Sequence, residues 1–145
     1  MFFWSAVFSR LWKEKVGLPF WCQVRVEGVD EENARLLEEA GCASVTAGIE
    51  SGNEEFRKKV IHRMMSNQQI VDAFKILKKT NIQVSANSII GFPGETREQI
   101  FDTIELNRKI DLDNIMVHTY NPYKGTSLYK LCVEKGYMAE WCFSK

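Results

Sequence analysis

Two stretches of this chain carry residues whose types and spacing suit ligand chemistry. In Ser88-Ile89-Ile90-Gly91-Phe92-Pro93-Gly94-Glu95-Thr96 an apolar run stops in a loop with glycines at 91 and 94. Glycine lets backbone approach a ligand closely because no Cβ intervenes. The helix start that follows turns free N–H groups toward the same spot. Pro93 and Gly94 also suit a plain turn. In Gly48-Ile49-Glu50-Ser51-Gly52 a carboxylate and a hydroxyl stand side by side, a pair able to hydrogen-bond a sugar diol. Ser51, or Asn53 beyond it, equally suits capping of a helix that opens with Glu54 and Glu55. Arg63 offers a planar cation matched to a carboxylate, whereas Arg57, Lys58 and Lys59 read as a solvated basic face. Arg25 and Glu27 alternate with Val24 and Val26, which points both charges inward, where each needs the other or a ligand. Tyr120 and Tyr123, with Asn87 and Ser88, provide polar and aromatic surface suited to a nucleobase. His62 reads as a surface or packing residue. His118, within a strand, is either a hydrogen-bonded core histidine or an acid–base group near a rim.

Those residues need elements to position them. From residue 20 onward, strand patterns (20–26, 44–49, 82–90, 115–120) alternate with amphipathic helices. Asp30 caps the first of these helices, with Glu31 and Glu32 in its first turn, Ala34, Leu37 and Ala40 on one face, and Gly41 as stop. The next helix carries Phe56, Val60, Ile61 and Met64 on its inner side. Ser66 with Gln69, and Thr96 with Gln99, are capping boxes that start two more. A last helix covers residues 127–135. Such alternation predicts βαβ units and a parallel sheet. Right-handed crossovers then bring residues 50–52, 91–95 and 121–125 to one rim.

Four strands are too few to close a barrel, which takes about 250 residues. The predicted fold is therefore α/β, a partial (β/α) barrel. It is an open arc of about four parallel strands with helices on the outer face, cut from a larger protein. Residues 1–17 form a helix left over from a preceding unit, 18–137 the arc, and 138–145 a tail. The unpaired edge and the Phe2/Phe3/Trp4 surface favour association, with a missing N-terminal part of the barrel or with a second copy.

Composition narrows the function classes. Nineteen basic and nineteen acidic residues cancel, which removes the electrostatic case for nucleic acid. The apolar N-terminus ends at Ser9-Arg10, too short for a membrane span and without the basic opening of a signal peptide. Cys22, Cys42, Cys132 and Cys142 form no Cys-x-x-Cys pair and no zinc pattern, so they read as reduced, part-buried thiols of a cytoplasmic protein.

Taken in order, residues 20–26, Ala40-Gly41-Cys42 with Ala47-Gly48-Ile49-Glu50-Ser51-Gly52, residues 87–96 and Asn121-Pro122-Tyr123-Lys124-Gly125-Thr126 resemble the radical S-adenosylmethionine (SAM) superfamily. The resemblance is to its cobalamin-associated, anaerobic-cyclase-like branch and covers roughly residues 18–137. It implies a partial (β/α)6 barrel in which a [4Fe–4S] cluster and SAM generate a 5′-deoxyadenosyl radical, with cobalamin possible in a parent protein. It also assigns roles. Glu50 and Ser51 match the ribose-side strand end, and Arg63 matches a residue that holds the methionine carboxylate. Ile89, Gly91, Phe92, Pro93 and Gly94 match the adenine-packing segment. Tyr120 and Tyr123 match a further adenine-side loop, and Arg25 a strand-end arginine facing the active site. The family's Cys-x-x-x-Cys-x-x-Cys loop and its Gly-Gly-Glu-type strand are absent, and the four cysteines fit no cluster loop. The implied function is one side of a SAM site in a chain that does not itself cleave SAM. Two other readings are a phosphate-binding α/β-barrel enzyme and a non-catalytic assembly subunit.

Overall fold

Each apolar run followed by a capped helix becomes one β/α unit. The computed structural model describes residues 6–139. In it α1 (Ala6–Lys15) precedes β1 (Phe20–Val24), α2 (Glu31–Glu39), β2 (Cys42–Glu50), α3 (Glu54–Lys59), α4 (Asn67–Leu77), β3 (Gln83–Ile90), α5 (Arg97–Lys109), β4 (Asn114–Thr119) and α6 (Ser127–Glu134). The strands form one open sheet in the order β1-β2-β3-β4, every pair parallel. Local chemistry starts the helices as expected. Asp30 accepts from the Asn33 N–H, and both capping boxes, Ser66/Gln69 and Thr96/Gln99, close reciprocally.

The two faces of the sheet differ in kind. Val45, Ala47 and Ile49 of β2 and Val84 and Ala86 of β3 pack with Leu37, Ile70, Phe74, Leu77 and Leu106 from the helices, all nearly inaccessible. Burying each such large side chain contributes about 1.5–3 kcal/mol. Since successive strand residues point to opposite faces, the other face carries Trp21 and Gln23, Thr46 and Gly48, Ser85, Asn87 and Ile89, and Met116 and His118. Trp21 confirms the register, its indole N–H donating to Thr46 Oγ1 at 2.9 Å. Parallel sheets are ordinarily apolar on both faces. This one is apolar toward its helices and mixed on the concave face, where Gln23, Thr46, Ser85, Asn87 and His118 stand among Trp21, Ile89 and Met116.

Four expectations change. β1 stops at Val24, and a single 3₁₀ turn, Val26–Gly28, follows it. Arg25 therefore lies beyond the strand and pairs with Glu27 at 3.0 Å on an exposed rim. α3 ends at Lys59, because the chain reverses at His62 (φ 58°), leaving Met64 exposed and placing Met65 in the core. Arg57 does not lie on a solvated face; it is 0 % exposed. Trp12 of α1 contacts the rings of both Phe8 and Phe20, and Ser9 Oγ donates to the Leu36 carbonyl, which seats α1 on α2. Phe2, Phe3 and Trp4, and the tail from residue 140, lie outside the described residues.

Candidate functional site

At the carboxyl end of β2 the ladder with β3 shifts register between Gly48 and Glu50, and Glu50 takes a left-handed backbone (φ 66°). The irregularity folds the Glu50 side chain back over Gly48. A Cβ at position 48 would stand 2.5 Å from Glu50 Oε1 and 4.0 Å from an Arg63 guanidinium nitrogen. Glycine at 48 thus makes room for the carboxylate on the concave face. Arg63 Nη1 lies 3.5 Å from Glu50 Oε1, and its Nη2 donates to the Gly48 carbonyl at 3.4 Å. Both contacts are long, and the buried Arg63 Nε has no hydrogen-bond partner within the protein. Burial raises the Glu50 pKa above the ordinary carboxylate range, while the charges of Arg63 and His118 oppose the rise. Burial also works against the Glu27 carboxylate, but the Arg25 hydrogen bond, a backbone N–H and the charges of Arg25 and Arg63 together hold its pKa low. The result is a half-buried charged cluster with an unspent donor and a carboxylate that is not fully satisfied.

The loops after β3 and β4 converge on a separate cavity, whose lining includes neither Glu50, Arg63 nor the other residues of the 50–52 loop expected to share it. Residues 91–95 and Tyr120, Asn121, Pro122 and Lys124 line a cavity of about 930 Å³, closed behind by Tyr129 and Cys132 of α6. Phe92 is buried with its ring 4.9 Å from Tyr120 and 5.9 Å from Phe56. The Gly91 and Phe92 N–H groups already have an anionic partner. Glu95 Oε2 accepts from them at 2.6 and 3.2 Å. An external phosphate would have to displace that carboxylate, and the Thr96 cap claims the helix start behind it. Burial raises the Glu95 pKa against the pull of those two N–H groups.

Of the site residues predicted from sequence, the fold brings Glu50 and Arg63 into one pair, and Gly91, Phe92, Pro93, Gly94 and Tyr120 into one cavity wall. Ile89 pairs with His118 on the concave face and is absent from that cavity's lining. Ser51 is fully buried; its hydroxyl accepts the Asn53 N–H, and Asn53 is the cap of α3. Tyr123 projects outward, 74 % exposed, and its carbonyl takes the Thr126 hydroxyl. Arg25 stays at the exposed rim with Glu27. Sequence reasoning missed the inward turn of Glu95, the buried role of Arg57, and a pair of thiols, Cys22 and Cys42, 3.8 Å apart on the helix side. Only the Glu95 spacing, four residues past Gly91, offered a local signal. Among the described residues no group of three or more His, Cys, Asp or Glu side chains converges to hold a metal ion. No helix among them is long and apolar enough to cross a membrane.

Comparison with known proteins bears directly on this arrangement. The family model described as the Radical SAM superfamily matches residues 9–106. An uncharacterized methyltransferase of Pyrococcus horikoshii is 33% identical over 124 residues, covering 86% of this chain and 27% of its own length. Among solved structures, the radical S-adenosylmethionine methyltransferase TsrM of Kitasatospora setae, with cobalamin and a [4Fe-4S] cluster bound, has a TM-score of 0.76 at 17% identity, over 90% of this chain and 27% of that one. Coproporphyrinogen III oxidase (HemN) of Escherichia coli, a radical SAM enzyme, gives 0.72 at 14% identity, over 87% and 30%. The chain spans about a quarter of the length of the curated methyltransferase it matches.

Proposed function

The chain belongs to the radical SAM superfamily, and from that premise we propose that its concave rim is the ribose, carboxylate and adenine side of a SAM site. The observation that carries this reading is the Glu50–Arg63 pair at the end of β2, held 3.5 Å apart with Arg63 Nε unpartnered. Glu50 accepts from the ribose hydroxyls. Arg63 turns its free donor to the methionine carboxylate, a charge-assisted contact worth about 1.5–3 kcal/mol. The backbone of residues 89–94 and the Tyr120 ring flank the adenine, Phe92 being locked by its own aromatic neighbours. Ser51 acts behind the site by setting the start of α3. In this superfamily a reduced [4Fe–4S] cluster supplies the electron that cleaves SAM. The described residues do not fit such a cluster, since no three ligating side chains converge, and so its ligands come from outside them. Cobalamin, bound in the TsrM structure, is left to the same outside part. That part completes the barrel along the open edge of β1.

The test is calorimetric titration of the chain with SAM and with 5′-methylthioadenosine, which lacks the amino-acid carboxylate. Arg63→Ala is expected to weaken SAM by about 10- to 100-fold and to leave 5′-methylthioadenosine unchanged. Glu50→Ala is expected to weaken both. Equal losses for both ligands in Arg63→Ala, or no binding of either to the native chain, would sink the assignment. The phosphate reading loses its donors to Glu95. The assembly reading draws on the exposed Ile115 and Val117 beside α5, and a concentration-independent monomer in size-exclusion chromatography with light scattering would dismiss it.

A further inference from the structure

Arg57 takes no part in the ligand contacts just described, yet it is wholly buried. Among the described residues its guanidinium forms no ion pair. It donates to three oxygens instead: the Ser51 carbonyl, the Met65 carbonyl at 2.9 Å and Asn67 Oδ1 at 2.7 Å. Glu54 lies near enough to pull on the charge but makes no contact with it, and burying a cation without a contacting counter-charge is expensive, so the position answers a specific demand.

That demand is visible on either side of it. Among the described residues two that are not glycine adopt left-handed backbone, Glu50 (φ 66°) and His62 (φ 58°). Such conformations persist only where the surroundings over-determine them. One is the proposed ribose contact itself, and the other immediately precedes Arg63. Arg57 grips the chain beside both. Its guanidinium holds the carbonyl just after Glu50 and the carbonyl two residues past Arg63, while its own carbonyl accepts the Arg63 N–H at 3.1 Å. Asn67 closes the frame, accepting from Arg57 and donating its Nδ2 to the Gly52 carbonyl at 3.0 Å. Glu54 Oε2 in turn takes the Asn67 N–H at 2.7 Å.

We propose that Arg57, with Asn67, is a positioning residue that aims Arg63 at the site, while Glu50 keeps the place that its pairing with Ser88 in the β2–β3 ladder gives it. The inference rests on the SAM-site reading above, and it makes Arg57 the reason the loose 3.5 Å pair waits for a ligand instead of collapsing. Lysine at 57 keeps the charge but reaches fewer of the three acceptors in the planar arrangement that a guanidinium satisfies.

The experiment measures Arg57→Lys and Asn67→Ala in two ways. Calorimetric titration compares SAM with 5′-methylthioadenosine, and hydrogen exchange compares residues 60–66 with β2 and β3. The expected result is SAM affinity reduced about tenfold, 5′-methylthioadenosine affinity unchanged, and faster exchange confined to residues 60–66. A residue that only supports the fold would weaken both ligands alike and loosen the sheet, and that outcome overturns the proposal. So does wild-type SAM affinity in both variants. If Arg57→Lys does not fold, Asn67→Ala carries the same comparison. If the native chain binds neither ligand, the site reading falls, and exchange alone then judges the positioning role. Unchanged protection of residues 60–66 in both variants refutes it.

Discussion

Gly48 and Gly52 lie one short turn apart, and the structure gives them opposite sensitivities to a methyl group. At Gly52 an added Cβ meets the main chain of α5, at the Asp102 carbonyl and Thr103 Cα, with the Asp102 carbonyl carbon 2.5 Å away. Ordinary carbon contacts need about 3.5–4.0 Å, and helix backbone cannot swing aside as a side chain does. Relief requires the turn to lift from α5, which breaks the Gly52 N–H bond to Thr103 Oγ1 at 2.8 Å. Overpacking costs about 1–3 kcal/mol and the lost hydrogen bond about 1 kcal/mol. Gly52→Ala is therefore expected to destabilise by roughly 3 kcal/mol, or about 6–12 °C in Tm for a chain of this size. At Gly48 the obstacle is Glu50 Oε1, the free end of a flexible side chain. Gly48→Ala should stay within about 0.5 kcal/mol of the native protein while driving the carboxylate away from Arg63, so SAM binding suffers and Tm does not. Paired thermal melts and SAM titrations on both variants make the comparison. A Gly52→Ala protein as stable as the native one, or a Gly48→Ala protein that melts with the other, would refute the packing argument.

Three further outcomes follow from named contacts. Glu95 has its folded pKa raised by burial, so its contribution to stability is present below the ordinary carboxylate pKa of about 4.3 and is lost as pH rises through the raised value. Urea midpoints across pH should then shift in favour of Glu95→Gln as pH increases, and a constant gap would count against the buried placement. Ser66→Ala and Thr96→Ala each remove a helix cap and should each cost about 1 kcal/mol by the same denaturation assay. Cys42 has its pKa lowered chiefly by the hydrogen bond from Cys22. In Cys22→Ala the pH profile of Cys42 alkylation, followed by mass spectrometry, should move to higher pH.

What was legible in the sequence was what local chemistry decides. The capping boxes at Ser66 and Thr96 and the apolar runs of β2 and β3 need only near neighbours, and they formed where expected. Strand-end loops at one rim followed from topology, and residues 91–94 and Tyr120 do share a cavity wall. Arg57 was misread because its partners, at Ser51, Met65 and Asn67, come together only after the chain reverses at His62. A left-handed histidine carries no sequence signal. The end of β1 was overrun because Val26 continues the alternation that the 3₁₀ turn interrupts. Glu50 and Arg63 were each picked out, but their juxtaposition depends on the register shift after Gly48. That shift is a property of two strands, so neither strand's residues announce it alone.

The unpaired edge of β1 has an architectural consequence. The apolar burial of the arc lies between sheet and helices, and the same layer stays open at its β1 end, where Val7, Leu11, Val16 and Leu18 stand exposed on α1 and on the turn that leads from it to β1. A strand and helix joined to that edge would therefore add hydrophobic burial to main-chain hydrogen bonds. Side-chain fit on the helix side, beside backbone register, would then decide which strand the edge accepts.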